Sequence, residues 1–204
     1  MKIAYDRAQK AKKHEIKHNW LRKNGYELID LPLPVGDYIV VTEAVEDTIK
    51  RRGKNLKRMD LLAVTHTTID TKQNLTEVCN NLCTKEHRRF RDEAILAQQN
   101  GIRFIVLVED GLKIKSLDDV ENWINPRRYQ YCKKHGIPTR GDVEEEIAEF
   151  VRAGGQKPPT PGPQLAKTMR TMSEDYGIIW EFCDKKHTGQ RIVELLGGEV
   201  NATG

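Results

Sequence analysis

The run Asp60 to Lys72, DLLAVTHTTIDTK, is rich in leucine, valine, threonine and isoleucine and closes on Asp70-Thr71-Lys72. That composition predicts a strand, or a bent pair of strands, because β-branched and apolar side chains fit a pleated, half-buried surface. Leu75, Val78 and Leu82 follow at helical spacing, so the acid and the lysine fall where a strand ends and the chain turns into a helix. Lys85 to Gly101 predicts a second helix, with Phe90, Ala94 and Ala97 on one face and a glycine stop. The next run, Ile102-Arg-Phe-Ile-Val-Leu-Val-Glu109, is continuously apolar, the pattern of a central buried strand.

Upstream, Met1 to Asp6 alternates as a strand, and Ala8 to Lys23, with Ala11, Ile16, Trp20 and Leu21, predicts an amphipathic helix stopped by Asn24-Gly25. Tyr26 to Leu33 reads as extended. Pro32, Pro34 and Gly36 punctuate a turn into a second extended run, Asp37 to Thr42, so the two runs are expected to lie side by side as a hairpin closed by Gly36-Asp37-Tyr38. Lys50 to Arg58 carries six cations and no anion, which predicts a solvated loop next to the strands that bear the acids.

Beyond Asp110-Gly111 the pattern becomes polar. Ser116 to Trp123, Arg127 to His135 and Asp142 to Arg152 predict short helices, and the Pro- and Gly-rich stretch 154–163 predicts a semi-extended connector. Gln164 to Asp175 is helical in pattern, Tyr176 to Cys183 strand-like, and Thr188 to Leu196 a last helix. The expected fold is α/β, a mixed sheet flanked by helices. The 204 residues suit a single domain, with a core of 1–111 and 164–197 and a mostly helical insertion over about 112–163.

A hydrophobic content of 38% supports one sizeable core, and the net charge of +4 permits nucleic-acid binding without requiring it. No run approaches the roughly 18 apolar residues of a membrane helix, and the first residues lack a cationic leader followed by an apolar stretch. A cytoplasmic protein without a membrane partner is expected. Cys79, Cys83, Cys132 and Cys183 are expected as reduced thiols, and Cys79-x-x-x-Cys83 as helix packing rather than a metal site.

Chemistry concentrates in the acids and the lysine. Two carboxylates, Asp37 and Asp70, together with the Thr71 backbone carbonyl, form a hard oxygen set for Mg²⁺ or Mn²⁺, and Lys72 would orient a water or stabilise charge on a phosphate. This is what a metal-dependent phosphodiesterase needs. His14-x-x-x-His18 is expected on a surface helix, and His66, four residues before Asp70, is expected at best near the site. Trp20, Trp123 and Trp180 are expected as core or interface anchors, with Trp123 and Tyr129, beside Arg127 and Arg128, as candidate DNA contacts.

Read in order, Asp6-Arg7-Ala8-Gln9, Leu33-Pro-Val-Gly-Asp37-Tyr38, Asp70-Thr71-Lys72, Arg89-Phe90 with Glu93, and Val106-Leu-Val-Glu109 resemble the XPF-like nuclease domain of the PD-(D/E)XK, or restriction-endonuclease-like, superfamily. The closing Tyr176-Gly177, strand and Thr-Gly helix are similar to that family's last strand-helix unit. The resemblance covers about 1–110 and 164–197. It departs at two points: the family's Glu-Arg-Lys is Asp-Thr-Lys here, and the acid expected four residues past the lysine is Thr76. No tandem helix-hairpin-helix is expected within these 204 residues.

The resemblance implies a restriction-endonuclease-like fold and a metal-dependent DNA endonuclease, acting on branched or flapped DNA. A small stand-alone nuclease of this kind would suit a phage or mobile element, or a role in DNA repair or recombination. It implies catalytic roles for Asp37, Asp70 and Lys72, with Asp6, Arg7, Arg89, Glu93 and Glu109 in support: Asp6 as a further ligand or a partner of Arg7, and Glu93 or Glu109 in an outer shell. Lys50, Arg51, Arg52, Lys54, Lys57, Arg58 and Arg88 are the expected phosphate contacts. The alternatives are a catalytically inactive DNA-binding module and a scaffold whose insertion recruits a protein partner or a second copy of the chain.

Overall fold

The computed structural model describes residues 1–9, 11–110 and 113–198; the expected insertion boundary at 112, with Gly111 before it, lies outside them. The elements run β1 (Lys2–Asp6), α1 (Ala11–Lys23), β2 (Glu27–Leu31), β3 (Tyr38–Val40), α2 (Glu43–Arg52), β4 (Thr67–Lys72), α3 (Leu75–Cys83), α4 (His87–Gln99), β5 (Arg103–Val108), α5 (Leu117–Glu121), α6 (Pro126–His135), α7 (Val143–Arg152), α8 (Gly162–Tyr176), β6 (Ile179–Phe182) and α9 (Thr188–Leu195). The strands form one six-stranded mixed sheet in the order β2-β1-β3-β4-β5-β6, flanked by helices, which is the expected α/β class.

The expected hairpin does not form. β1 lies between β2 and β3, parallel to the first and antiparallel to the second. The Pro32–Gly36 segment is therefore a crossover past the end of β1, anchored where the Leu33 amide donates to Asp6 Oδ1 at 3.3 Å. β3 is antiparallel to β4, and β4, β5 and β6 run parallel, joined by α3-α4 and by the long helical excursion.

The basic segment is not a loop. Thr42, expected at the end of a strand, caps α2 by accepting from the Val45 amide. Glu43 and Glu46 sit in the first turn of α2 and Lys50, Arg51 and Arg52 in the last, matching charge to the helix dipole at both ends. Short 3₁₀ turns at Gly53–Asn55 and Arg58–Val64 carry the chain to β4, which takes only the second half of the expected strand run.

Alternation along the strands divides the core. Phe104, Val106 and Val108 face α3, α4 and α8, packing with Phe90, Leu165 and Met169. Ile3, Tyr38, Ile69, Ile105 and Leu107 face the other side, where Leu21 of α1 and Ile192 and Val193 of α9 cover them. Of the polar excursion, Val120 of α5 and Ile114 belong to the main core, whereas Tyr131, Cys132, Ile137 and Ile147 of α6 and α7 form a small cluster of their own. The connector is held by α6: Arg128 Nη1 donates to the Pro159 carbonyl at 2.7 Å and Asn125 Nδ2 to that of Thr160 at 2.9 Å. No helix among the described residues is long and apolar enough to cross a membrane.

Candidate active site at the carboxyl end of strand β4

Asp70 and Lys72 share parity on β4 with Val106 and Val108 opposite them on β5, so both point to the α3/α4 face. There the Lys72 ammonium pairs with Asp70 Oδ2 and lies 5.4 Å from the centre of the Phe90 ring. The Asp70 and Lys72 side chains are 9% and 10% exposed. α4 sets Glu93 one turn beyond Phe90, where its Oε1 accepts the Gly36 amide at 2.8 Å.

The chain reaches Asp37 through Gly36, which has φ of +67°, and a Cβ there would lie 2.4 Å from Thr68 Oγ1. Only glycine enters this left-handed conformation without steric cost and allows so close an approach. The Asp37 amide donates to the Ile69 carbonyl at 2.7 Å, and its carbonyl accepts the Asp6 amide at 2.9 Å and Gln9 Nε2 at 3.1 Å. Its carboxylate Oδ2 accepts the Thr71 amide at 2.9 Å and Thr71 Oγ1 at 2.6 Å, so the first acid is tied to the residue between the second acid and the lysine. The other oxygen carries no hydrogen bond among the described residues.

Electrostatically the site is under load. Burial, and then the like charges of Asp37 and Glu93, push the Asp70 carboxyl up to about 7 against the opposing pull of Lys72. Burial works against the Lys72 charge too, but Asp70, Asp37 and Glu93 outweigh it and hold the ammonium above its ordinary value. Three carboxylates around one lysine leave negative charge that a hard cation would neutralise. Among the described residues no three His, Cys, Asp or Glu side chains are grouped to hold a metal ion. The donors still fit Mg²⁺, which typically keeps several waters and uses only one or two carboxylates.

The supporting residues divide. Glu93 joins the site. Asp6 reaches it only through its backbone, because its carboxylate is turned to Leu33, and Arg7 approaches Asp30 at 3.8 Å rather than Asp6. Glu109, one residue past Val108, lies on the opposite face of the sheet, where it pairs in full burial with Lys17 of α1. Arg89 is two-thirds exposed and pairs with Glu86 at 3.5 Å, not with Glu93, and Arg88 is still more exposed. Of the basic segment, Arg58 donates to the Leu33 carbonyl at 2.7 Å and Arg52 pairs with Asp60 at 2.7 Å. Lys50 approaches Asp47 at 3.6 Å, while Arg51, Lys54 and Lys57 are exposed.

The histidines depart from expectation, while Trp180 follows it. His14 and His18 are not on a solvated face: both contact the buried Tyr38 hydroxyl, at 3.1 and 2.9 Å. His66 precedes β4 and so lies at the far end of the strand from Asp70. Trp180 is an anchor, its indole donating to the Met169 carbonyl at 3.0 Å. The residue that sequence reasoning missed is Gln9, bonded to the Asp37 carbonyl; Glu77, next to Thr76, instead accepts the Gln73 amide at 2.8 Å at the start of α3.

No family model matches the chain, and no curated protein matches it. Among solved structures it is similar in fold to XPF from Aeropyrum pernix, at 18% identity and a TM-score of 0.46, over 96% of this chain and 63% of that one. The same protein in complex with DNA aligns at 17% identity and 0.47, over 96% and 62%. The chain thus spans less than two thirds of the length of these two structures.

Proposed function

We propose that this chain is a Mg²⁺- or Mn²⁺-dependent DNA endonuclease. The observation that carries the reading is the carboxyl end of β4, where Asp70 and Lys72 stand on one face and Asp37 is bonded to the intervening Thr71. The order of motifs, which resembles that of XPF-like nucleases, adds the expectation of branched or flapped DNA as substrate.

In this reading Asp37, Asp70 and the Thr71 carbonyl would hold the cation, which when bound would supply Lewis-acid charge to the phosphate and lower the pKa of an attacking water. Lys72 offers three donors and a permanent charge where the transition state gathers negative charge. Phe90 and the covering helices keep water away from that charge, which strengthens it. Glu93 fixes the Gly36 turn and, through it, the approach of Asp37.

A second reading is an inactive DNA-binding module. The observation favouring it is the closure of Lys72 on Asp70, with both side chains about nine-tenths covered, so a phosphate must displace one partner to reach the other. Labelled single-stranded, duplex, splayed, flap and four-way DNAs, each with Mg²⁺, Mn²⁺ or EDTA, decide between the two. Metal-dependent cutting abolished in Asp70→Ala supports the nuclease; binding without cutting in either metal rejects it.

A further inference from the structure

The α1 residues His14, Lys17 and His18 fall on one helix face, which points into the molecule rather than to solvent. Tyr38 is fully buried, and its hydroxyl meets His14 Nδ1 at 3.1 Å, His18 Nε2 at 2.9 Å and Gln9 Oε1 at 3.4 Å. A hydroxyl has one proton and two lone pairs. With Tyr38 donating to Gln9, the hydroxyl's lone pairs are left for the imidazoles, an arrangement met by the Nδ1–H tautomer of His14 and the Nε2–H tautomer of His18. Burial, and then neighbouring cations among other charges, pushes both histidines down to about 4, so each carries a single N–H at neutral pH.

A phenylalanine would fill the Tyr38 site without needing this network, and buried polar groups are costly unless every one is satisfied. What the network adds is direction. Tyr38 follows Asp37, and Gln9 bonds both the Tyr38 hydroxyl and the Asp37 carbonyl, so ring, side chain and backbone are held as one unit. The Asp37 carboxylate meets Thr71 only while that unit stays in register with β4.

We propose that the inward face of α1 is a positioning device for Asp37: His14, His18 and Gln9 hold Tyr38 so that the Asp37 carboxylate stays aimed at the end of β4. The proposal rests on the nuclease reading and deepens it. These are positioning residues, since none touches a reacting group.

The test uses the full chain with Tyr38→Phe, His18→Leu and His18→Gln, the last because a glutamine amide can stand where Nε2–H stood. Tyr38→Phe and His18→Leu are expected to lower kcat and to weaken Mn²⁺ binding, read from the electron paramagnetic resonance of free Mn²⁺, by about 10- to 100-fold, the usual range for outer-shell partners. KM for DNA should not change, and His18→Gln should recover most of the loss. Amide hydrogen exchange gives a readout independent of activity: Asp37 and Thr71 should exchange faster in Tyr38→Phe while amides of α8 do not. Unchanged exchange at those two amides, or His18→Gln as impaired as His18→Leu, overturns the proposal. A wild type that neither cuts DNA nor binds Mn²⁺ overturns the nuclease reading instead, and the exchange result then decides the positioning claim alone.

Discussion

Gly36→Ala measures how tightly the approach to Asp37 is built. At φ of +67°, a non-glycine residue costs roughly 1–2 kcal/mol because its Cβ crowds the following carbonyl. The new Cβ would also lie 2.4 Å from Thr68 Oγ1 and 3.1 Å from the Ile69 carbonyl oxygen, so the threonine must rotate or the β3–β4 seam must open. Rotation forfeits the Thr68 bond to the Val35 carbonyl at 2.7 Å, worth about 0.5–1.5 kcal/mol net. Together these give about 1.5–3.5 kcal/mol, and at roughly 2–4 °C per kcal/mol for a chain of this size the midpoint falls by about 3–14 °C.

Urea unfolding of Gly36→Ala, Thr68→Ala and the double variant separates the two parts. Thr68→Ala removes the nearest atom, so the alanine at 36 should cost less in that background by the steric share, leaving the backbone share intact. Metal-dependent cleavage by Gly36→Ala, assayed where the variant is still folded, should fall below what lost stability explains, because the Gly36 amide is also the partner of Glu93. A variant within about 0.5 kcal/mol of wild type, or equal costs in both backgrounds, refutes the reasoning.

Lys17 and Glu109 are 4% and 0% exposed in their side chains, so Lys17→Met should destabilise by about 3–5 kcal/mol while Lys17→Met with Glu109→Leu returns near wild type in urea melts. Without metal, Asp70 binds a proton on folding because its carboxyl is raised from the usual value near 3.8 to about 7; its share of stability is therefore full below pH 4 and lost as pH rises through 7. Asp70→Asn should remove that share, visible as a wild-type-minus-variant difference in unfolding free energy that shrinks across the window in EDTA. His14 and His18 act with the opposite sign, their depressed values costing stability as pH falls from about 6.5 to 4, so the same titration in His18→Gln should show a shallower acid limb. In the basic segment, Arg51→Ala and Lys54→Ala should each lower the slope of log affinity for duplex DNA against log salt by about 0.9 if the residue meets a phosphate, whereas Arg58→Ala, which loses the Leu33 anchor, should show mainly as lost stability.

What the chain states locally could be read from it. The acid-x-lysine at a strand end was legible because two strong periodicities meet there, the apolar run into Ile69 and the helical spacing of Leu75, Val78 and Leu82. The misplaced hairpin was not, because β1 entering between β2 and β3 is decided by pairings across more than thirty residues, such as the Asp6 amide to the Asp37 carbonyl. α2 did carry a signal, with a threonine cap, acids in its first turn and cations in its last; six cations among the nine residues from Lys50 to Arg58 drew attention from it. His14 and His18 looked solvated because α1 is lysine-rich, and only the tyrosine 24 and 20 positions away turns them inward. Glu109 carried the right type for an outer ligand, but a single residue of strand parity puts it on the wrong face.

Two ion pairs are buried side by side at the ends of β4 and β5, Asp70 with Lys72 on one face and Glu109 with Lys17 on the other. Stability does not account for them, since apolar isosteres of buried pairs commonly do as well or better. Nor does the sheet need them, because Val106, Leu107 and Val108 already fill both faces. The costs therefore point to direction rather than strength: one pair keeps a lysine beside a carboxylate that its surroundings would protonate, and the other pins α1, whose histidines grip the residue after Asp37. Breaking the second pair should then loosen the first site without touching it, a coupling through packed, hydrogen-bonded elements of which α1 is the shared member.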